Sequence, residues 1–238
     1  MADKSKSKVI EDVKIILDEN ERTLGSLDIG GDIPDADQLE TDRLIGRLIH
    51  VAIDAVNKIA PLDYLAGAFT QADSAVLNWE EMGPYCQKAV LPADFTRLVY
   101  VRLPGWHRGT SEFHQENDPL YAEFFSRYAG VRPTTLYPAA AIVVGEEPGT
   151  LEVVCCPKQR AQGDGRVMYV ASADTGDDVE SYAISDKCYW AVVYYVAHLY
   201  YVTLGESGRA ALMETEAYRR LDIGQQTEKG DAGDGAEG

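Results

Sequence analysis

The most uniform hydrophobic pattern of the chain lies in residues 181–221, where the sequence predicts two helices. Residues 188–204 form a run of 17 residues without a charge, which includes five tyrosines and His198. Gly205 separates this run from a shorter, charged helix over 206–221. A helix that is apolar on every side is buried in a large core, in a membrane or in an assembly.

A membrane span is the least favoured of these three environments. The uncharged run is at the lower limit of the roughly 17–25 residues that a span requires. It lacks Phe and Ile and contains only two Leu, and its many tyrosines prefer the bilayer interface to the bilayer centre. We therefore expect a buried or interface helix whose tyrosine hydroxyls reach polar partners, and no membrane partner.

Two further helices are indicated in the N-terminal part. Apolar residues over 9–17 have helical spacing, and a broad apolar stripe over 42–59 predicts a helix that ends at Pro61. Asp35 or Asp37 is the expected N-cap of the second helix. The Gly- and Asp-rich loop between the two helices does not have the spacing of a calcium loop.

The middle of the chain has the patterns of short strands. A short helical piece and then a loop are expected over 64–84, and Trp106-His107-Arg108 is placed as a continuation of the sheet after Pro104-Gly105. Asp118-Pro119 opens a helix that Gly130 caps. The predicted strands cover 88–91, 97–103, 140–144, 151–156 and 166–171, with a hairpin turn at 145–150.

This order of elements predicts an α+β, mainly α fold: a helical bundle with a small antiparallel β-sheet or hairpin insertion at about 88–171 and extended termini. We divide the chain into an N-terminal helix and acidic loop (1–34), a core (35–221) and an acidic, Gly-rich tail (222–238). The tail contains five acids and one lysine, a composition typical of disorder in isolation.

The net charge of the chain limits the classes of partner that it can bind. The formal net charge is −17 over 238 residues, which argues against gripping nucleic-acid phosphates but is compatible with a wall that repels passing DNA. The polar, lysine-rich start at 1–8 does not resemble a signal peptide. The four cysteines, two of them adjacent, imply no disulfide framework, so we expect synthesis in a reducing cytoplasm.

No catalytic signature stands out, and no cofactor or metal is predicted. The chain has no phosphate-binding glycine loop, no zinc-protease motif and no nucleophile elbow. His107, His114, Cys155 and Cys156 are residue types that zinc accepts. Adjacent cysteines on a strand point to opposite faces, however, so both do not easily reach one metal.

Two exposed-looking groups are candidates for contacts instead. Trp106 and Arg108 belong to residue types enriched in interface hot spots, although a cluster that covers the core at a strand end explains them equally well. Glu146 and Glu147 lie in the predicted hairpin turn and are most simply a solvated tip.

Four pieces in a fixed order resemble the head–tail connector, or adaptor, proteins of tailed bacteriophages. They are the amphipathic helix at 42–59, the stretch VLPADFTRL at 90–98 before a strand, the hairpin sheet, and the aromatic helix followed by Leu204-Gly205-Glu206 and a second helix at 209–221. The likeness is closest to the adaptor, ring or tail tubular protein A-like members of podovirus-like and crAss-like phages, and covers most of 35–221.

The resemblance implies a virion structural protein and not an enzyme. A ring of twelve copies would dock beneath the portal protein, extend the DNA channel without binding the genome specifically, and join other neck or tail proteins. The helices at 42–59 and 185–204 would form the subunit body, while the hairpin tip and the termini would reach neighbouring components. The interface residues expected on this basis are Tyr194, Tyr195, Tyr201, Trp106, Arg108, Glu146 and Glu147.

Three alternatives remain open at the level of sequence. The first is a tail-completion or stopper ring protein of the same neck, and the second is a soluble enzyme with a site around His107, Glu112 and His114. The third is a membrane-associated protein that uses residues 188–204. The enzyme requires a pocket with convergent polar groups, and the membrane protein requires detergent.

Overall fold

The computed structural model describes residues 2–23, 35–65, 69–73, 77–159, 165–175 and 178–223. The chain divides into two compact units: unit 1 consists of Met1–Ala68 and Ser172–Gly238, and unit 2 is Phe69–Ala171. Unit 2 is therefore an insertion in the sequence of unit 1.

The elements, in chain order, are β1 (Ala2–Ser5), α1 (Lys6–Thr23), α2 (Asp35–Ile59), β2 (Phe69–Asp73), β3 (Glu80–Met82), β4 (Cys86–Val90), β5 (Phe95–Arg102), β6 (Phe113–Gln115), α3 (Pro119–Glu123), β7 (Ala139–Val144), β8 (Leu151–Cys156), β9 (Arg166–Ala171), β10 (Ser181–Ile184), α4 (Tyr189–Thr203) and α5 (Ser207–Arg220).

In unit 1, α4 is packed against α1, α2 and α5. The residues of α4 that are buried point in several directions, as expected for a helix that is covered by three others; they are Tyr189, Ala191, Val192, Val193, Val196, Ala197 and Tyr201. The hydroxyl of Tyr189 donates a hydrogen bond to Asp12 of α1. This contact agrees with the expectation that the tyrosine hydroxyls of this helix reach polar partners.

The helix α5 is amphipathic, and it buries a single stripe. Ala210, Met213, Ala217 and Leu221 recur at the three- and four-residue spacing of one helical face, and all four are buried. Gly205, with a φ of 76°, allows the chain to reverse between α4 and α5. The prediction of two helices separated at Gly205 is therefore confirmed.

A two-stranded antiparallel sheet joins the start of the chain to the segment before α4. The strand β1 pairs with β10, with Ala2 opposite Ile184 and Ser5 opposite Ser181. The prediction of two helices over 181–221 missed β10, since this strand depends on a partner nearly 180 residues away in sequence.

Unit 2 contains two sheets. One has the strand order β2-β9-β5, and the other has the order β3-β4-β8-β7-β6, in which β6 pairs with β7 in parallel and the other pairs are antiparallel. The central strand β8 is buried on both faces. Val153 and Cys155 belong to a core cluster shared with β5 and β9, while Val154 and Cys156 belong to a second cluster with Phe124.

The prediction of a mainly α helical bundle with a small sheet insertion is wrong. The fold is a sheet-rich α+β fold, and its described residues have 36% helix, 26% strand and three sheets, one of them five-stranded. The physical reason is that several strands are only three to five residues long, which leaves too few positions for an alternating pattern. The strands β2, β3 and β6 were missed for this reason, and the first two lie where a helical piece and a loop were expected.

Two other local predictions fail in unit 2. The helix expected from Asp118 to about Ala129 has five residues, Pro119–Glu123, because the next side chain, Phe124, is 1% exposed and packs under the five-stranded sheet. Residues 106–108 do not continue the sheet, because Gly105, with a φ of 85°, turns the chain and the amide of Trp106 donates to the carbonyl of Leu103.

Several predictions fall on parts of the chain that lie outside the described residues. They are the acidic loop over 25–34, the capping side chains of Asp35 and Asp37, and the tail beyond Ile223. Within the described ranges, no helix combines the length and the apolarity needed to cross a membrane.

Candidate functional site

The two histidines that were candidate zinc or catalytic groups occupy separate local environments in unit 2. Nδ1 of His114 donates to Oδ2 of Asp118 at 2.8 Å, and the imidazole packs edge-on against Phe124. His107 is exposed, with Nδ1 3.1 Å from Oγ1 of Thr135. Each histidine therefore has a local hydrogen-bond partner.

Asp118 connects His114 to the short helix that follows. Its carboxylate accepts the amide of Leu120 at 2.9 Å, as an N-cap does. The amide of Leu120 and, secondarily, the hydrogen bond from His114 lower the pKa of Asp118 below its usual range. The arrangement fixes the start of α3, and it leaves the carboxylate ionised.

The adjacent cysteines lie on opposite faces of β8, as predicted. Cys155 is buried in the core shared by the two sheets, where burial raises the pKa of its thiol. Cys156 is buried on the other face near Cys86. In the part of the chain that the structure describes, no group of three or more His, Cys, Asp or Glu side chains is placed to hold a metal ion.

Trp106 and Arg108 have different environments. Trp106 is 3% exposed, and its Nε1 donates to the carbonyl of Pro157 at 2.8 Å, so it belongs to the core and covers the end of the strand. Arg108 is exposed, and its guanidinium lies 4.7 Å from the centroid of the Tyr137 ring. Of the two candidate hot-spot residues, only Arg108 is accessible to another chain.

Glu146 and Glu147 lie at the exposed tip between β7 and β8. Nζ of Lys88 donates to Oε1 of Glu146 at 2.7 Å and also approaches Glu152 at 3.3 Å. The hydrogen bond from Lys88 lowers the pKa of Glu146. The carbonyl of Glu147 accepts from Thr150 Oγ1 at 2.7 Å and closes the turn. The tip is ordered by its own contacts, and both carboxylates are solvated.

The three tyrosines of α4 differ in accessibility. Tyr201 is 2% exposed and belongs to the core of unit 1, so it does not offer surface to another subunit. Tyr194 is half-buried, with the guanidinium of Arg220 5.3 Å from its ring centroid. Tyr195 is also half-buried and stacks near His198, with 5.1 Å between ring centroids. Burial, followed by the nearby Glu214, raises the pKa of Tyr195.

Unit 1 also exposes large apolar side chains, which we call the helix surface. On α4, Trp190 and Val202 are 46% and 52% exposed, and they belong to a four-residue repeat with the half-buried Tyr194 and His198. In the ranges that the structure describes, the set comes from α1, α2, α4, α5 and their ends and consists of Ile15, Val51, Ile59, Trp190, Val202, Leu204, Leu212 and Ile223.

A second exposed apolar set follows β6 in unit 2, and we call it the aromatic loop surface. Its members are Leu120, Phe125, Tyr128, Val131, Leu136 and Tyr137. Two arginines stack on it, Arg127 over Tyr128 at 5.5 Å and Arg108 over Tyr137 at 4.7 Å. The sequence interpretation placed most of this segment in a longer helix from Asp118 to about Ala129 and so missed this surface, although its density of Tyr and Arg is typical of interfaces.

No protein-family model and no curated protein matches this chain.

Proposed function

We propose that the chain is the subunit of a ring-forming head–tail connector of a tailed bacteriophage, a virion structural protein beneath the portal. The observation that carries the proposal is the helix surface of unit 1, where every helix leaves at least one large apolar side chain exposed. We take these side chains to be covered by neighbouring subunits, since large exposed apolar patches mark sites of protein–protein contact. The order of elements that resembles the connector family adds to it.

Ring closure requires two different surfaces on each subunit, one for each neighbour. The helix surface includes residues on α1 and α2 and residues on α4 and α5, and in this proposal the two groups contact different neighbours. We assign lateral contacts to this surface, with Trp190 and the half-buried Tyr194 and Tyr195 at the contact of α4. Tyr201 and Trp106 support the subunit core.

Axial contacts, to the portal on one side and to a tail or neck component on the other, fall to unit 2 in this proposal. The aromatic loop surface combines Tyr, Phe and Arg side chains, the types that dominate interface energetics. Arg108 belongs to it, and the hairpin tip with Glu146 and Glu147 offers a charged contact. A net charge of −17 suits a channel through which DNA passes without binding, since negative walls repel phosphates.

The proposal is tested by mixing the purified protein with purified portal rings and imaging the complexes by electron microscopy. We expect a ring of this protein stacked coaxially on the portal, with a continuous central channel. A Tyr128→Ser, Tyr137→Ser variant is expected to lose the stacking and retain the ring. A protein that neither forms rings nor stacks on the portal contradicts the proposal, and stacking onto a preformed connector instead of the portal assigns it to the stopper layer.

A further inference from the structure

A cleft of about 380 Å³ in unit 1 is lined by basic side chains. Its residues come from the start of α1, from α2 and from the segment that ends in β10; they are Lys6, Asp42, Arg43, Gly46, Arg47, His50, Thr175 and Tyr182. Arg43, Arg47 and His50 follow one another at four- and three-residue intervals, so they lie on one face of α2. Arg43 and Arg47 are both exposed to solvent.

The backbone is shaped to bring Lys6 to the same place. A Cβ atom at position 46 would lie 3.1 Å from Cε of Lys6 and 3.9 Å from its Nζ. Gly46 thus leaves room for the lysine to cross α2 between the turns that carry Arg43 and Arg47. The amide of Lys6 donates to the carbonyl of Glu180 at 2.8 Å, which holds the start of α1 beside the cleft.

As far as the structure describes it, the lining of the cleft carries excess positive charge in a strongly acidic protein. The one carboxylate in that described lining, Asp42, forms an ion pair with Lys14, which lies outside the lining set. The carboxylate of Asp174 is near Tyr182. Burial raises the pKa of Tyr182, and the charge of Asp174 raises it further. Among the described residues, neither Arg43 nor Arg47 forms an ion pair. Two guanidinium groups on successive turns favour a ligand with several carboxylates.

The sequence itself contains such a ligand in residues 222–238, where five acids and one lysine alternate with glycines. Residues 224–238 span roughly 50 Å when extended, enough to reach an adjacent subunit. In a ring, the neighbour holds this segment at a high effective concentration near the cleft. The acidic segment is therefore the ligand that best fits the cleft, because its charge is complementary and its length is sufficient.

We infer that the cleft lined by Lys6, Arg43 and Arg47 binds the acidic segment 222–238 of a second copy of this chain. The inference rests on the proposed ring, since it needs adjacent copies. The carboxylates of Glu228, Asp231, Asp234 and Glu237 are the groups that the guanidinium ions bind, and the segment acts as an arm that ties each subunit to its neighbour.

The test is a disulfide cross-link between two full-length variants, one with Thr175→Cys and the other with Ala232→Cys. Thr175 lines the cleft without carrying charge, and the native cysteines Cys86, Cys155, Cys156 and Cys188 are all buried. After mild oxidation of the mixture, we expect a species of twice the 26.2 kDa chain mass, in which peptide mass spectrometry identifies the 175–232 linkage. The native mass is measured on the same samples.

Charge reversal provides the specificity control. Arg43→Glu together with Arg47→Glu should reduce the cross-link yield by on the order of tenfold or more, since it replaces both carboxylate-binding groups with repulsive ones. The matched control is Lys8→Glu with Lys58→Glu, exposed lysines of the same two helices that do not line the cleft. This control changes the net charge equally and should leave the yield unchanged.

Five outcomes would overturn the inference. A yield that survives reversal of Arg43 and Arg47 shows that the cleft does not hold the segment. A link formed within one chain, in a variant carrying both new cysteines at high dilution, assigns the cleft to the chain's own segment. If DNA binds the wild-type protein but not the charge-reversed variant, and no cross-link forms, the cleft is a phosphate-binding site instead. A ring without the cross-link overturns this inference alone, whereas a monomer at all concentrations overturns the ring as well.

Discussion

Replacing Trp190 with serine is expected to weaken ring assembly and leave the subunit folded. The indole is 46% exposed on α4, and its partner within the subunit is the neighbouring Tyr189 ring, 5.6 Å away between centroids. Because nearly half of the side chain has no cover in the single chain, nearly half of its hydrophobic contribution belongs to the assembly and the rest to the subunit.

The size of the effect follows from the exposed area. A tryptophan presents on the order of 250 Å² of surface, so covering the exposed fraction removes roughly 115 Å² from water. At about 25 cal/mol per Å² this contributes about 3 kcal/mol to each subunit contact. A loss of that size lowers the association constant by about a hundredfold.

Sedimentation velocity over a concentration series measures the association, and circular dichroism melting measures the fold. We expect the Trp190→Ser chain to stay folded but to melt below wild type, because the covered part of the indole is also lost, and to assemble only at about a hundredfold higher concentration. The matched control is Tyr128→Ser, an exposed aromatic residue of unit 2 that should leave the ring mass unchanged. Equal assembly by the Trp190→Ser chain and wild type, or a collapsed melting temperature, would refute the reasoning.

The remaining predictions concern the fold. Val193→Asp places a charge where the side chain is fully buried and should cost more than about 4 kcal/mol, so a soluble variant with the wild-type melting temperature would contradict the buried-helix account. Phe124→Ala should lower the urea stability of unit 2 by about 3–5 kcal/mol, and a loss below about 1 kcal/mol would show that this ring does not anchor the segment. Asp118→Ala removes a group whose pKa is lowered by the amide of Leu120 and by His114; the stability it contributes is present above the ordinary Asp pKa of about 3.9 and is lost as the pH falls through the folded value. The urea midpoints of wild type and Asp118→Ala should therefore differ at pH 7 and approach each other as the pH falls below about 3.9, and a gap that does not shrink in that direction would contradict this.

The long, strongly patterned elements were predictable from sequence. The run over 188–204 was expected to be helical and the helix is Tyr189–Thr203, while the strands expected at 140–144 and 151–156 are Ala139–Val144 and Leu151–Cys156. These elements carry their own signal, in uncharged length or in flanking Gly and Pro. The opposite orientation of Cys155 and Cys156 also followed from strand geometry alone.

The elements that were missed depend on distant partners. β10 exists because β1 pairs with it, and β6 is a three-residue strand that pairs in parallel with β7. Neither contains enough residues for a period to appear. The predicted helix over 118–129 had suitable caps, but burial of Phe124 after the first turn overrode local propensity.

The candidate contact residues were separated by burial, which sequence did not reveal. Tyr201 and Trp106 are residue types enriched at interfaces, yet both are buried inside their own unit. Arg108 was found from sequence, but the Tyr137 ring on which it stacks was not. A side chain that covers its own core and one that awaits a partner have the same sequence pattern, and only the solvent exposure in the folded chain distinguishes them.

The native mass of the purified full-length protein tests the central claim most directly. We expect a discrete, closed oligomer of this 26.2 kDa chain, formed either by the protein alone or upon addition of portal rings, with twelve copies as the proposed number. A monomer or dimer whose mass does not change with concentration or in the presence of the portal would contradict the connector account.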